Sequence, residues 1–111
     1  MDEAEQRRAA RQRFQARYRA LYDEVLEILF QVDPLGVHGR ATAEKFVPEV
    51  ATILPRLREA RSAEDLEQII QQELRRWYGR RHLTRQLPER LAPAASAIWS
   101  AWQRFLAWSA R

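Results

Sequence analysis

Apolar residues in this sequence recur at steps of three and four over four separate stretches. No stretch alternates apolar with polar residues while rich in β-branched types. That period is the period of the α-helix, so the chain is constrained to fold as helices that each bury one stripe. Its 111 residues leave room for one domain and one core. The expected fold is all-α, a four-helix single domain over residues 1–111 that begins with a long N-terminal helix.

Glycine and proline mark the divisions. All three glycines, Gly36, Gly39 and Gly79, stand where a helical pattern stops. The first helix is expected from about residue 3 to 32, with Phe14, Tyr18, Leu21, Tyr22, Val25, Ile28, Leu29 and Val32 as its stripe. Acidic Asp2, Glu3 and Glu5 suit the positive end of its dipole. Its opening turns, within residues 1–13, are polar all round and are expected to fray or to lie on a partner as an arm. Asp33-Pro34 ends it, because a residue before proline is driven out of the right-handed helical region.

The second helix is expected to begin near Pro48, with Phe46, Val50, Ile53 and Leu57 buried. Pro55 removes the hydrogen bond to the Ala51 carbonyl. Both prolines lie opposite the stripe, which predicts a helix curved at Pro55 rather than broken there. Ser62 caps the third helix, Glu64 and Asp65 follow in its first turn, and Leu66, Ile69, Ile70, Leu74 and Trp77 form its stripe. Gly79 ends it in a left-handed conformation. Residues 80–88 read as a polar, basic linker. The fourth helix is expected over about 89–109, with Leu91, Ala95, Ile98, Trp99, Trp102, Phe105 and Leu106 on one face.

Charge and composition narrow the function classes. There is no cysteine, which excludes disulfides and thiolate metal sites and suits a reducing, cytoplasmic setting. No run reaches the roughly 18–20 apolar residues of a membrane span, and no signal-peptide pattern opens the chain, so secretion and membrane insertion are not expected. The formal charge is +4, and the chain is arginine-rich: 18 of its 19 basic residues are arginine.

Two basic groups invite a nucleic-acid reading. One is Arg75, Arg76, Arg80, Arg81, Arg85 and Arg90, with His82, Trp77 and Tyr78 among them. The other is the arm with Arg7, Arg8, Arg11, Arg13, Arg17 and Arg19. A bland reading stands beside each: Trp77 belongs to the core, the arginines beside it cap a helix C-terminus, and the arm is a solvated or subunit-facing surface.

No catalytic constellation is present in the sequence. His38 and His82 are the two histidines and form no H-x-x-x-H spacing, and no phosphate-loop pattern occurs. No catalytic residue, cofactor or metal ligand is therefore assigned, and the chain is not expected to be an enzyme. Glu73 is the one acid whose helical phase falls inside an apolar stripe, and an arginine is expected to answer it as an ion pair. Leu26 and Phe30 fall off the first stripe and Trp108 off the last. These three are the candidate subunit contacts of a homodimer.

Residues 21–79 carry a recurring order of elements: Asp33-Pro34-Leu35-Gly36, then Phe46-Val47-Pro48-Glu49-Val50 through Ile53-Leu54 and Leu57, then Ser62 to Leu66, and Trp77-Tyr78-Gly79. This order resembles a family of small, uncharacterised bacterial all-helical proteins with D-P-[IL]-G, P-E-V-x-x-I-L and W-[FY]-G elements. Lys45-Phe46 departs from it where an acidic-aromatic dipeptide is expected. The resemblance implies a helical bundle and supplies no activity. Some similar proteins occur in toxin–immunity settings, which implies a protein partner. The functional expectation is thus a non-enzymatic helical interaction protein that binds another protein, in an immunity-like role, or itself. The alternative is a small basic RNA- or DNA-binding protein that uses the Arg75–Arg90 cluster.

Overall fold

The computed structural model describes residues 2–36 and 43–110, and among them there are four α-helices and no strand. α1 spans Glu3–Val32, α2 Val47–Ile53, α3 Ala63–Tyr78 and α4 Leu87–Ser109. α4 packs along α1 on one side and α3 on the other, while α2 bridges α1 and α3. The buried residues form one cluster drawn from all four helices, including Val25, Leu29, Phe46, Ile53, Leu57, Ile70, Leu74, Leu91 and Ile98.

α1 starts and stops as its sequence requires. Asp2 Oδ1 accepts from the Glu5 N–H at 2.7 Å, a side-chain cap for the first turn. The helix runs unbroken through residues 3–13, so the arm is helical. Asp33 leaves the right-handed region ahead of Pro34, and at φ 54°, ψ 61° it takes the left-handed one, which aspartate tolerates better than most residues. The turn that follows has a definite task. Pro34 O accepts from the Thr84 N–H at 2.9 Å, and Arg90 Nη1 donates to Val32 O at 3.1 Å. The D-P-L-G element thereby docks the segment that leads into α4.

The second helix departs from the curved α-helix expected at Pro55. A 3-10 turn, Ala43–Phe46, leads into α2, and at Leu54 the chain tightens into a 3-10 helix, Leu54–Glu59. The reason is local: Pro55 has no N–H to give Ala51, and a tighter i→i+3 ladder avoids the missing bond. The stripe survives the change, since Phe46, Val50, Ile53 and Leu57 are all buried and Leu54 joins them.

In α3, Ser62 Oγ accepts from the Asp65 N–H at 3.1 Å, and Asp65 Oδ2 accepts from the Arg61 N–H at 2.9 Å. Gly79 ends the helix at φ 70°, ψ 165°, a backbone region that essentially only glycine enters without strain and that differs from the left-handed helical one expected. α4 begins at Leu87, two residues ahead of expectation, because Leu87 is buried and Pro88 fits the first turn. The 80–88 linker contains one 3-10 turn, Arg80–His82. No described helix is long and apolar enough to cross a membrane.

Candidate interaction surface

α1 divides into two unlike halves. From Leu21 on, one face is core: Leu21, Val25, Leu29 and Val32 are buried. Before that, every residue from 2 to 20 is exposed except half-buried Ala9, although the helical stripe continues through Phe14 and Tyr18. Those two rings remain 47% and 37% exposed. A helix exposed all round is marginal in water unless its own side chains support it. These do not. Arg7 and Arg11, and Arg13 and Arg17, stand at i,i+4 spacing, where like charges weaken a helix by about 0.2–0.5 kcal/mol per pair.

The C-terminal end of α4 packs against this half through a cluster of aromatic rings. Phe105, itself buried, meets Phe14 edge-on at 5.6 Å and Tyr18 edge-on at 6.1 Å between centroids. Trp102 stacks on Phe105 at 5.7 Å, and Trp108 lies 5.9 Å from Phe105 and 6.4 Å from Phe14. Arg17 sits over the Trp108 ring at 5.4 Å, a cation–π contact. Of the expected face of the fourth helix, Leu91, Ala95, Ile98 and Phe105 are buried, whereas Trp99 and Trp102 are half-buried and Leu106 is exposed, and Leu87, Ala94 and Ala101 join the core; Trp108 is half-buried.

Beside this cluster a groove of about 660 Å³ runs along α1. Its apolar wall is Phe14, Tyr18, Tyr22, Leu26 and Val47, and its polar rim is Gln15, Arg19 and Asp23. The wall follows from i,i+4 spacing of residues 14, 18, 22 and 26, which places one side chain above another on one helix face. The floor is fixed where Tyr22 Oη donates to Val47 O at 3.0 Å, and burial raises the Tyr22 hydroxyl above the ordinary phenol value. Arg19 Nε and Asp23 Oδ1 pair across the rim at 3.3 Å, with side chains 77% and 60% exposed.

The three candidate subunit contacts separate. Leu26 lines the groove, whereas Phe30 packs on Phe46 at 6.3 Å and Trp108 belongs to the aromatic cluster.

A polar seam joins α2 to α3. In antiparallel order, Tyr78 meets Glu49, Trp77 meets Thr52, and Glu73 meets Arg56. Arg56 Nη1 donates to Glu73 Oε1 at 3.0 Å, while Arg76 stands 4.0 Å away, so the expected ion pair forms. Arg56 also donates to Glu59 and Gln72, and the bonds to Glu59 and Glu73 raise its pKa. Glu73 is not the sole buried acid, contrary to expectation: Glu49 and Glu73 are each 3% exposed. The second oxygen of each has no hydrogen-bond partner among the described residues. Burial and the hydrogen bond to Glu49 together push the Tyr78 hydroxyl far above its ordinary value.

Trp77 is a further correction. Its helical phase places it in the core, yet it is 45% exposed, with Nε1 donating to Thr52 Oγ1 at 3.1 Å. Thr52 offers a polar edge at the last turn of α3, so the indole lies across it and leaves one part in water.

The basic cluster is on the surface. Arg75, Arg76, Arg80, Arg81, Arg85, Arg90 and His82 are all exposed. Arg90 is engaged with the end of α1, and Arg76 with Glu73, while Arg75, Arg80, Arg81 and Arg85 face no acid within ion-pair distance among the described residues. His38 lies outside the described residues. Among those residues no group of three or more His, Cys, Asp or Glu side chains is placed to hold a metal ion. No family model, curated protein or solved structure matches the chain.

Proposed function

We propose that this chain is a non-enzymatic helical interaction module whose exposed α1 face docks onto a protein surface inside the cell. The observation that carries the reading is the continuous apolar row Phe14, Tyr18, Tyr22 and Leu26, which runs past the point where the chain's own core ends. Apolar, aromatic-rich patches with a polar rim are what protein interfaces use, since tyrosine and other aromatic side chains anchor binding there. The charge of the arm adds selectivity by favouring acidic surfaces and steering their approach. An immunity-like role fits this reading, because such a role needs a protein partner and no chemistry of its own. So does the family resemblance, whose quoted residues here mostly build turns and core, with Val47 alone on the groove wall.

A photoreactive residue placed at Gln15, on the groove rim, tests the proposal in living cells. Cross-linking to protein from position 15, and none from exposed Arg58 on the far segment, is the expected result. Equal adducts from both positions, or none from position 15, would contradict it.

One observation favours a second reading, nucleic-acid binding by the Arg75–Arg90 cluster. Four exposed arginines with no acid at ion-pair distance among the described residues lie within eight positions of half-exposed Trp77 in the sequence, a combination suited to phosphate neutralisation and base stacking. This reading predicts binding to single-stranded RNA or DNA that weakens steeply with salt and is lost in the triple variant Arg80→Gln, Arg81→Gln, Arg85→Gln. Absence of binding at low salt would end it.

A further inference from the structure

Charge along α1 is split in two. After Glu3 and Glu5 in the first turn, residues 6–22 hold six arginines and no acid, whereas residues 20–33 hold Asp23, Glu24, Glu27 and Asp33 and no base. The groove spans that boundary, and its rim repeats the pattern in miniature, Arg19 before Asp23. A helix basic in one half and acidic in the other is complementary to itself when reversed. A single surface patch that contacts its own copy across a two-fold axis needs this property.

We propose that the α1 groove is covered by α1 of a second copy of this chain, packed antiparallel about a two-fold axis near Leu21. The proposal rests on the reading of α1 as a docking face and names what docks there. In this pairing the basic half of each helix lies against the acidic half of the other. Arg19 of each copy faces Asp23 of its mate, and the Phe14–Tyr18 face is removed from water. The intrachain Arg19–Asp23 pair is no obstacle, since exposed i,i+4 pairs are weak and readily exchanged. An unrelated acidic helix fits less well: it answers the arginines but sets a like charge against Asp23 on the same rim. The like-charge arginine pairs of the arm are also relieved by acids from outside, which accounts for a helix that the described residues leave largely exposed.

Sedimentation of the full chain tests this with two exposed charge variants. The wild type is expected to be a dimer at about 100 μM and to dissociate on dilution. Arg19→Glu places two acids opposite two acids, and Asp23→Arg places two bases opposite two bases. Each variant alone is expected to dimerise about tenfold or more weakly. An equal mixture of the two restores both opposite-charge contacts across the axis, although neither chain regains its internal pair. A wild type that dimerises better than either variant, together with recovery in the mixture, marks the antiparallel pairing, because a parallel one would already set Arg19 on Arg19 and Asp23 on Asp23 in the wild type. Tyr18→Glu, which also loses the edge contact with Phe105, is expected to abolish the dimer.

A wild type that stays monomeric, variants that dimerise as well as it does, or a mixture that stays monomeric would each overturn the proposal. If the wild type is monomeric while position 15 still cross-links to a different protein, self-pairing falls and the docking face stands. If neither occurs, both fall.

Discussion

Glu73 and Tyr78 show how much of the contact between α2 and α3 depends on single polar pairs. Removing Arg56 leaves Glu73 buried with only the more distant Arg76 to answer it. Arg56→Met is therefore expected to lower unfolding free energy by about 3 kcal/mol in urea titrations. The double variant Arg56→Met, Glu73→Leu is expected to fall within roughly 1 kcal/mol of wild type, because no buried charge is then stranded. Tyr78 adds a pH signature. Its hydroxyl, like that of Tyr22, titrates higher in the folded chain than in the unfolded one. The contribution is thus complete below the unfolded value of about 10 and is lost as pH rises through the folded value. Urea midpoints are expected to fall above about pH 10, less steeply in Tyr78→Phe. The Glu73 contact was legible in the sequence, since an acid at core phase among many arginines calls for one of them. Glu49 was not, although its step of four to Ile53 was a usable signal. Nor was the exposure of Trp77, because helical phase says which way a side chain points and not whether anything lies there to cover it.

At the scale of elements, caps and periodicity located the helices well and the backbone at their ends less well. α1 and α3 start at Asp2 and Ser62 because those side chains satisfy N–H groups that the helix itself leaves free. Ser62→Ala is expected to cost about 1 kcal/mol by chemical denaturation. Gly79 was legible as a stop, but its ψ of 165° depends on how the Arg80–His82 turn leaves α3, which no local pattern specifies. A Cβ there would meet nothing within 4 Å, so Gly79→Ala is a test of backbone strain alone, with an expected loss of about 1–3 kcal/mol. Pro55 teaches a similar lesson. The missing hydrogen bond was evident in the sequence, whereas the chain's answer, a 3-10 segment in place of a bend, was settled by keeping Leu54 and Leu57 both buried.

As a whole the molecule is elongated, 55 × 29 × 19 Å, because a 30-residue helix spans about 45 Å and only its second half has a core to join. The candidate site is the consequence of that mismatch. Its residues were visible as a stripe, but a stripe is equally what a core helix shows. Where cover ends depends on where α4 stops and on how far α2 reaches, both properties of the assembled fold. The first half of α1 is thus a helix that the described residues leave largely exposed. Amide hydrogen exchange in dilute protein tests this most directly, whatever the partner. The amides of residues 3–18 are predicted to exchange far faster than those of Leu21–Val32 in the same helix, and to gain protection when the α1 face is occupied. Equal protection of the two halves in dilute, unpartnered protein would contradict it.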